Sequence, residues 1–351
     1  MKPESGYRSY LISTLVLCCI FAASCAVPGP EENTGNASRF RRPFGDNAPW
    51  NIPVKNISEH PESDKYADLY WYGASNSPGS VHLSFDWYTY PVYYTCDATG
   101  YYHCRSRWTT NINGKEIPWN PEWLPAFGTD GQVIILDSIN GYEWDLWQVR
   151  FERDTVFITN GNLVQAGETP GDGSDPGNYW TKENGFIPSR GVGIQYLAML
   201  VRPRSIEQGV IEHALSNPIR NTCGEVFVPP ATKLEHPGRP QGIPEGMRFA
   251  LRMSDDELDE WIGELHDRGL PDNTIQAARI IARALIDYGW FITDTSGGCH
   301  LQFEDRYSAG ERWEKLGLSH FEIDGRNYPR HLLHGLFTRE RIYALVPGDQ
   351  Y

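Results

Sequence analysis

Residues 81–88 (VHLSFDWY) alternate strictly. Val81, Leu83, Phe85 and Trp87 fall on one side of an extended chain, and His82, Ser84, Asp86 and Tyr88 on the other. This is the period of a half-buried strand. YPVYYTC, YYHCRSRW, GQVIILDS, YEWDLWQVRF and DTVFIT continue the strand signal. Asn140-Gly141 divides two of these runs and suits a two-residue type I′ turn. That turn would set Ser138 opposite Glu143, Leu136 opposite Asp145 and Ile134 opposite Trp147, with Val133, Ile135, Trp144 and Leu146 on the other face. Beyond residue 190 the period changes. Ser205 heads IEQGVIEHALS, a helix stopped before Pro218. Ser254 and Glu257 form a capping box ahead of DDELDEWIGEL. Ile275, Ala278, Ala282, Leu285 and Ile286 recur at helical spacing over 273–288, with Gly289 placed to end the helix. WFITDTSG and CHLQFE then return to strand. This order predicts a mainly β, α+β protein: a β-sandwich or jelly-roll-like core elaborated by C-terminal helices.

The ends of the chain read differently. Lys2 and Arg8 precede an apolar run from Leu11 to Phe21, followed by Ala22-Ala23-Ser24-Cys25-Ala26. A basic start, an apolar stretch too short to span a bilayer and small residues at its end predict a secretory signal over 1–26. Ala22-Ala23-Ser24-Cys25 resembles the lipobox of bacterial lipoproteins, with Ala22 where that family usually has Leu. The resemblance implies a lipid on Cys25 as the only membrane attachment, and cleavage after Ala26 is the other outcome. Residues 27–45 have the Pro/Gly-rich composition of a linker, leaving 46–351 as one globular domain. The expected location is extracellular or on the cell surface. Four cysteines remain in an oxidising compartment, which predicts two disulfides, Cys96 with Cys104 and Cys223 with Cys299.

Charge narrows the partners. With 45 acidic and 31 basic residues the net charge is −14, which excludes a general nucleic-acid binder. Anionic polymers stay admissible only where arginines such as Arg105, Arg107, Arg190, Arg202 and Arg204 cluster. Twelve Trp, 19 Tyr and 14 Phe, concentrated on the expected strands, offer surfaces on which sugar rings stack.

Candidate chemistry follows from the hairpin. Glu143 and Asp145, at i and i+2, share one face about 6.5–7 Å apart, within the reach of glycosidase carboxyl pairs, and Trp147 stands beside them. The stretch Glu143-Trp144-Asp145-Leu146-Trp147-Gln148 resembles, over six residues, the E-x-D-x-x-E strand of jelly-roll glycoside hydrolases of the laminarinase and carrageenase type. Gln148 replaces the acid/base of that motif. RGVGIQYLAMLVRP, GVIEHALS and IARALIDYGWFITDTSG resemble uncharacterised secreted bacterial proteins, some attached to carbohydrate-binding modules. This implies polysaccharide degradation and no mechanism. The leading expectation is therefore a glycoside hydrolase using Glu143 and Asp145, with Trp147, Trp144, His82, Asp86, Gln148 and Trp180 binding substrate. A polysaccharide lyase using Arg190, Tyr196 and His213 is the alternative, although no Y-x-K-x-G-x-Y-x-Q strand is present. A non-catalytic glycan-binding lipoprotein is the third reading. No cofactor is expected. Asp172, Ser174 and Asp175 could hold a structural Ca²⁺, and His331 with His334 lack a third metal ligand. Serine-hydrolase, zincin and nucleotide-binding motifs are absent.

Overall fold

The computed structural model describes residues 44–165, 188–235 and 239–348. The expected signal, residues 27–43 of the expected linker, Trp180, and the Asp172, Ser174 and Asp175 set lie outside the described residues; Phe44, at the end of that linker, is instead buried against Trp50. The architecture is mainly β with a few helices, an α+β arrangement.

Helix α1 (Ser63–Gly73) precedes a short strand β1 (His82–Ser84). Two four-stranded sheets follow, built from β2 (Val92–Tyr94), β3 (Gly100–Ser106), β4 (Glu116–Trp119), β5 (Val133–Asp137), β6 (Tyr142–Trp147), β7 (Arg150–Glu152), β8 (Thr155–Ile158) and β9 (Asn160–Gln165). Their orders are β2-β5-β6-β9 and β4-β3-β8-β7. Val133, Ile135 and Leu146 of the first sheet share one core with Cys104, Ile117, Trp119, Val156 and Ile158 of the second. Alternation explains the sandwich: every second residue of β5 and β6 points at the other sheet. The opposite face of the first sheet is also covered. Val92, Ile134 and Leu136 pack there against Tyr196, Leu197 and Leu200.

The β5–β6 hairpin closes with four residues, 138–141. Asp137 Oδ1 accepts the N–H groups of Ile139 and Asn140, and Gly141, at φ 76°, turns the chain. Leu136 therefore meets Glu143 and Ile134 meets Asp145, two positions from the expected register. A slip of two leaves every side chain on its expected face, where a slip of one would have reversed them all.

The second half builds β10 (Leu215–Ile219), β11 (Thr222–Phe227), β12 (Ile243–Glu245), β13 (Arg248–Leu251), β14 (Trp290–Thr295), β15 (His300–Gln302), the hairpin β16 (Phe321–Ile323) with β17 (Arg326–Tyr328), and β18 (Ile342–Ala344). A sheet ordered β10-β14-β13-β18 carries its main core. In chain order α2 (Pro203–Glu207) falls between β9 and β10, and α3 (Asp255–Asp267) and α4 (Asp272–Asp287) come after β13. Ser254 caps α3 with the expected reciprocal box to Glu257. Gly289, at φ 67°, ends α4, where a Cβ would come within 1.9 Å of the Phe249 carbonyl oxygen.

Three expectations are corrected. The helix expected from Ser205 is only α2, entered through Pro203 and ended at Gly209, whose φ is 77°; the rest of that segment is coil and β10. Pro218 lies inside β10 at a shift of register, where a missing N–H is tolerated. The alternation at 81–88 holds for Val81, Leu83 and Phe85, but Trp87 is exposed because Tyr88, at φ 51°, turns the chain away. Neither expected disulfide forms: Cys104, Cys223 and Cys299 are buried free thiols. Cys104 points into the sandwich core while Cys96 is exposed, and Cys299 contacts the Tyr70 hydroxyl at 3.3 Å while Cys223 donates to the Pro240 carbonyl.

Candidate functional site

The sandwich face that carries Glu143 and Asp145 meets segment 188–201. Leu197 N–H donates to Glu143 Oε1 at 3.0 Å, and Ser189 donates its N–H to Asp145 Oδ2 at 3.4 Å and its hydroxyl to the Asp145 carbonyl at 2.9 Å. Both acids are fully buried. Burial first, then the mutual repulsion and hydrogen bond of the two groups, pushes the Glu143 carboxyl well above its usual range, and burial raises Asp145 too. Two carboxyls in such a place share a proton. They brace the segment from beneath rather than face a ligand.

The braced segment presents Arg190 and Tyr196 to a cavity of about 420 Å³, within the size range of small-ligand sites. Arg190 is 1% exposed. Its Nη1 donates to Ser216 Oγ at 2.7 Å, and its Nη2 to the carbonyls of Tyr196 and Ala198 at 2.6 and 3.0 Å. The guanidinium lies 5.1 Å from the centre of the Tyr90 ring, which stacks on Tyr196 at 4.4 Å. Most of the fork is thus spent on the protein itself. Burial pushes the Tyr196 phenol well up, so this group holds its proton at neutral pH.

The ionisable groups facing the cavity come from three other places. Asp130 projects from the turn before β5, accepting from the Trp147 indole and from Gln132 Nε2, the latter at 3.2 Å; burial nevertheless raises its carboxyl. Asp294, near the end of β14, lies against Glu235, and Thr295 N–H donates to both, at 2.9 Å to Asp294 Oδ1 and 2.8 Å to Glu235 Oε2. Burial, followed by the hydrogen bond and charge of Glu235, pushes Asp294 well above the carboxylate range. Lys233 lies close by, its ammonium destabilised by burial despite the acids around it. Gly191 permits the close approach: a Cβ there would come within 2.7 Å of Asp294 Oδ1 and 2.9 Å of Glu235 Oε2. Trp147 and Trp108, with ring centres 5.5 Å apart, wall one side.

Of the expected catalytic residues, the fold brings Arg190 and Tyr196 to the cavity lining and places Glu143 and Asp145 one layer behind it. His213 is apart, buried in coil with Nδ1 2.9 Å from the Ala214 carbonyl oxygen. Of the expected substrate-binding residues, Trp147 lines the cavity. Trp144 packs on the sandwich core because it sits on the other face of β6. Asp86 is paired with Arg306 at 2.9 Å and His320 at 3.2 Å, and His82 lies beside Ser80 and His331. Gln148, with φ 55°, leaves the strand and bonds the Thr129 carbonyl. Asp130, Lys233, Glu235 and Asp294 escaped the sequence reading. Each sits in a loop or near a strand end, where no periodicity marks it; a carboxyl near the end of an apolar strand, as Asp294 is in WFITDT before Ser-Gly-Gly, was the one available signal.

Among the described residues no group of three or more His, Cys, Asp or Glu is placed to hold a metal ion, and no helix is long and apolar enough to cross a membrane. Comparison with protein-family models, curated proteins and solved structures finds no match.

Proposed function

We propose that the cavity is the active site of an exported enzyme that cleaves a polysaccharide by glycoside hydrolysis. The observation that carries this reading is the presence of two separate carboxyl centres, Asp130 and the Asp294–Glu235 pair, in one indole-walled cavity. Burial and the neighbouring Glu235 push the Asp294 carboxyl well above the usual carboxylate range, which suits it to protonate a leaving glycosidic oxygen. Asp130, held by the Trp147 indole and by Gln132, is suited to act as the base or nucleophile. Trp108 and Trp147 offer flat faces to the apolar side of a sugar ring. Support for export is the character of residues 1–26 alone.

The test is release of reducing ends from a panel of neutral and acidic glycans. Asp130→Asn and Asp294→Asn should each lower kcat at least about 100-fold, the scale of acid–base catalysis, with melting temperature retained. Glu143→Gln should stay within a few-fold of the parent, because it keeps the shape of a residue that does not reach the ligand. Full activity in both Asp variants would overturn the assignment. A β-eliminative cleavage, for which the destabilised ammonium of Lys233 is the favouring observation, would instead give unsaturated products that absorb in the ultraviolet.

A further inference from the structure

A second concavity, of about 640 Å³, lies on the outside of the sandwich. Arg105, Arg107 and Arg150 line it, and among the described residues no Asp or Glu does. Arg105 and Arg150 both pair with Phe157 across the sheet β3-β8-β7, so they project on the same face two strand spacings apart, about 10 Å. All three are exposed. Among the described residues their only ion pair, from Arg150 to Glu152 at 3.6 Å, joins two largely exposed side chains and holds weakly. In a chain of net charge −14, this is a local reversal of sign, and such a patch concentrates anions.

The groove and the cavity share a wall. Gln148 N–H donates to the Asp130 carbonyl at 2.7 Å, Thr159 N–H to the Trp147 carbonyl at 3.1 Å, and Trp108 N–H to the Thr159 carbonyl at 3.0 Å. Thr129, Gly131, Gln148 and Thr159 face the groove, while Asp130, Gln132, Trp147 and Asn160 face the cavity. Trp108, 53% exposed, follows Arg107 at the rim. At the far end of segment 127–132, Phe127 and Trp87 meet edge to face at 4.3 Å, both about half exposed, beside Gly128 of the groove.

We infer that this groove is a subsite for an anionic polysaccharide, one bearing carboxylates or sulfate esters, whose chain crosses the Trp108 rim into the cavity. The inference rests on the glycan-cleaving reading of the cavity and gives that site its substrate class. A glycan fits better than a nucleic acid, because three cations on an acidic protein are too few to hold a phosphate backbone against salt, and the exposed rings at both ends suit sugar stacking.

Affinity electrophoresis of the full chain in gels containing polygalacturonate, a sulfated galactan, neutral dextran or single-stranded DNA tests it. Retardation is expected in the polygalacturonate or the sulfated galactan gel, and which one identifies the anion. The triple variant R105Q/R107Q/R150Q should bind that polymer at least about tenfold more weakly, since rim charges act on encounter and salt dependence, with an unchanged melting temperature. Equal retardation of the variant, no retardation in either anionic glycan, or equal retention by DNA would overturn the inference. Because binding is scored without turnover, loss of cleavage in the Asp130 and Asp294 variants with no anion binding would remove this subsite and leave the hydrolase reading standing. Anion binding without any cleavage would do the reverse.

Discussion

Glu245 shows at the scale of one residue what burial does to an acid. Its side chain is inaccessible to solvent, and burial raises its carboxyl from 4.5 to about 7. The folded chain therefore keeps a proton on Glu245 that the unfolded chain gives up above pH 4.5. This contribution to stability is fully present below pH 4.5 and is lost as the pH rises through about 7, amounting to about 3 kcal/mol. Glu245→Gln should flatten the melting temperature between pH 4.5 and 7 and raise it at the upper end; an unchanged pH profile in differential scanning calorimetry would contradict this. The same physics explains what was hidden from sequence at Glu143 and Asp145. Their shared face was legible because alternation alone fixes it. Their depth was not, since the covering layer of Tyr196, Leu197 and Leu200 comes from some fifty residues further along the chain. Arg190 was legible as a candidate but not as a strut, because its partners are largely backbone carbonyls.

Elements were readable where their signals are local. The capping box of α3 and the glycine stop of α4 depend on residues a few positions apart, and both stand where the pattern puts them. Their energetic weights differ. Ser254→Ala removes a cap and should cost about 1 kcal/mol. Gly289→Ala forces a left-handed residue into a space bounded by the Phe249 carbonyl and should cost more, about 2–4 kcal/mol. Chemical denaturation of the two variants checks the order, and a smaller loss for Gly289→Ala would refute the close-approach argument. The helix expected from Ser205 failed because Gly209 and then a parallel pairing of β10 with β14 override a periodic apolar pattern. A pairing with a strand some seventy residues away leaves no mark in its own sequence.

For the molecule as a whole, the described residues fall in one compact unit, although their apolar side chains fall into distinct cores. Cys104 reports on the sandwich and Cys299 on the helix-covered sheet, and burial holds their thiols up at about 12 and about 11. If the unit unfolds cooperatively, both should become reactive to an alkylating reagent at one urea midpoint, read by peptide mass mapping. Two separated midpoints would show that the halves open independently, with the candidate cavity at their seam melting first. That seam was the least legible part of the chain: residues from eight stretches between 90 and 295 line it, and composition offered only an excess of aromatics and acids from which to expect it.

The hairpin register has a consequence for how this site tolerates change. Since inward and outward positions are counted modulo two, the β5–β6 turn behaves as a parity check. Insertions or deletions that move the pairing by an even number preserve which residues brace segment 188–201, and an odd shift exchanges the two acids with Trp144 and Leu146, setting charge in the sandwich core. Length variation at residues 138–141 is thereby restricted to even steps in register, whatever amino acids the loop contains.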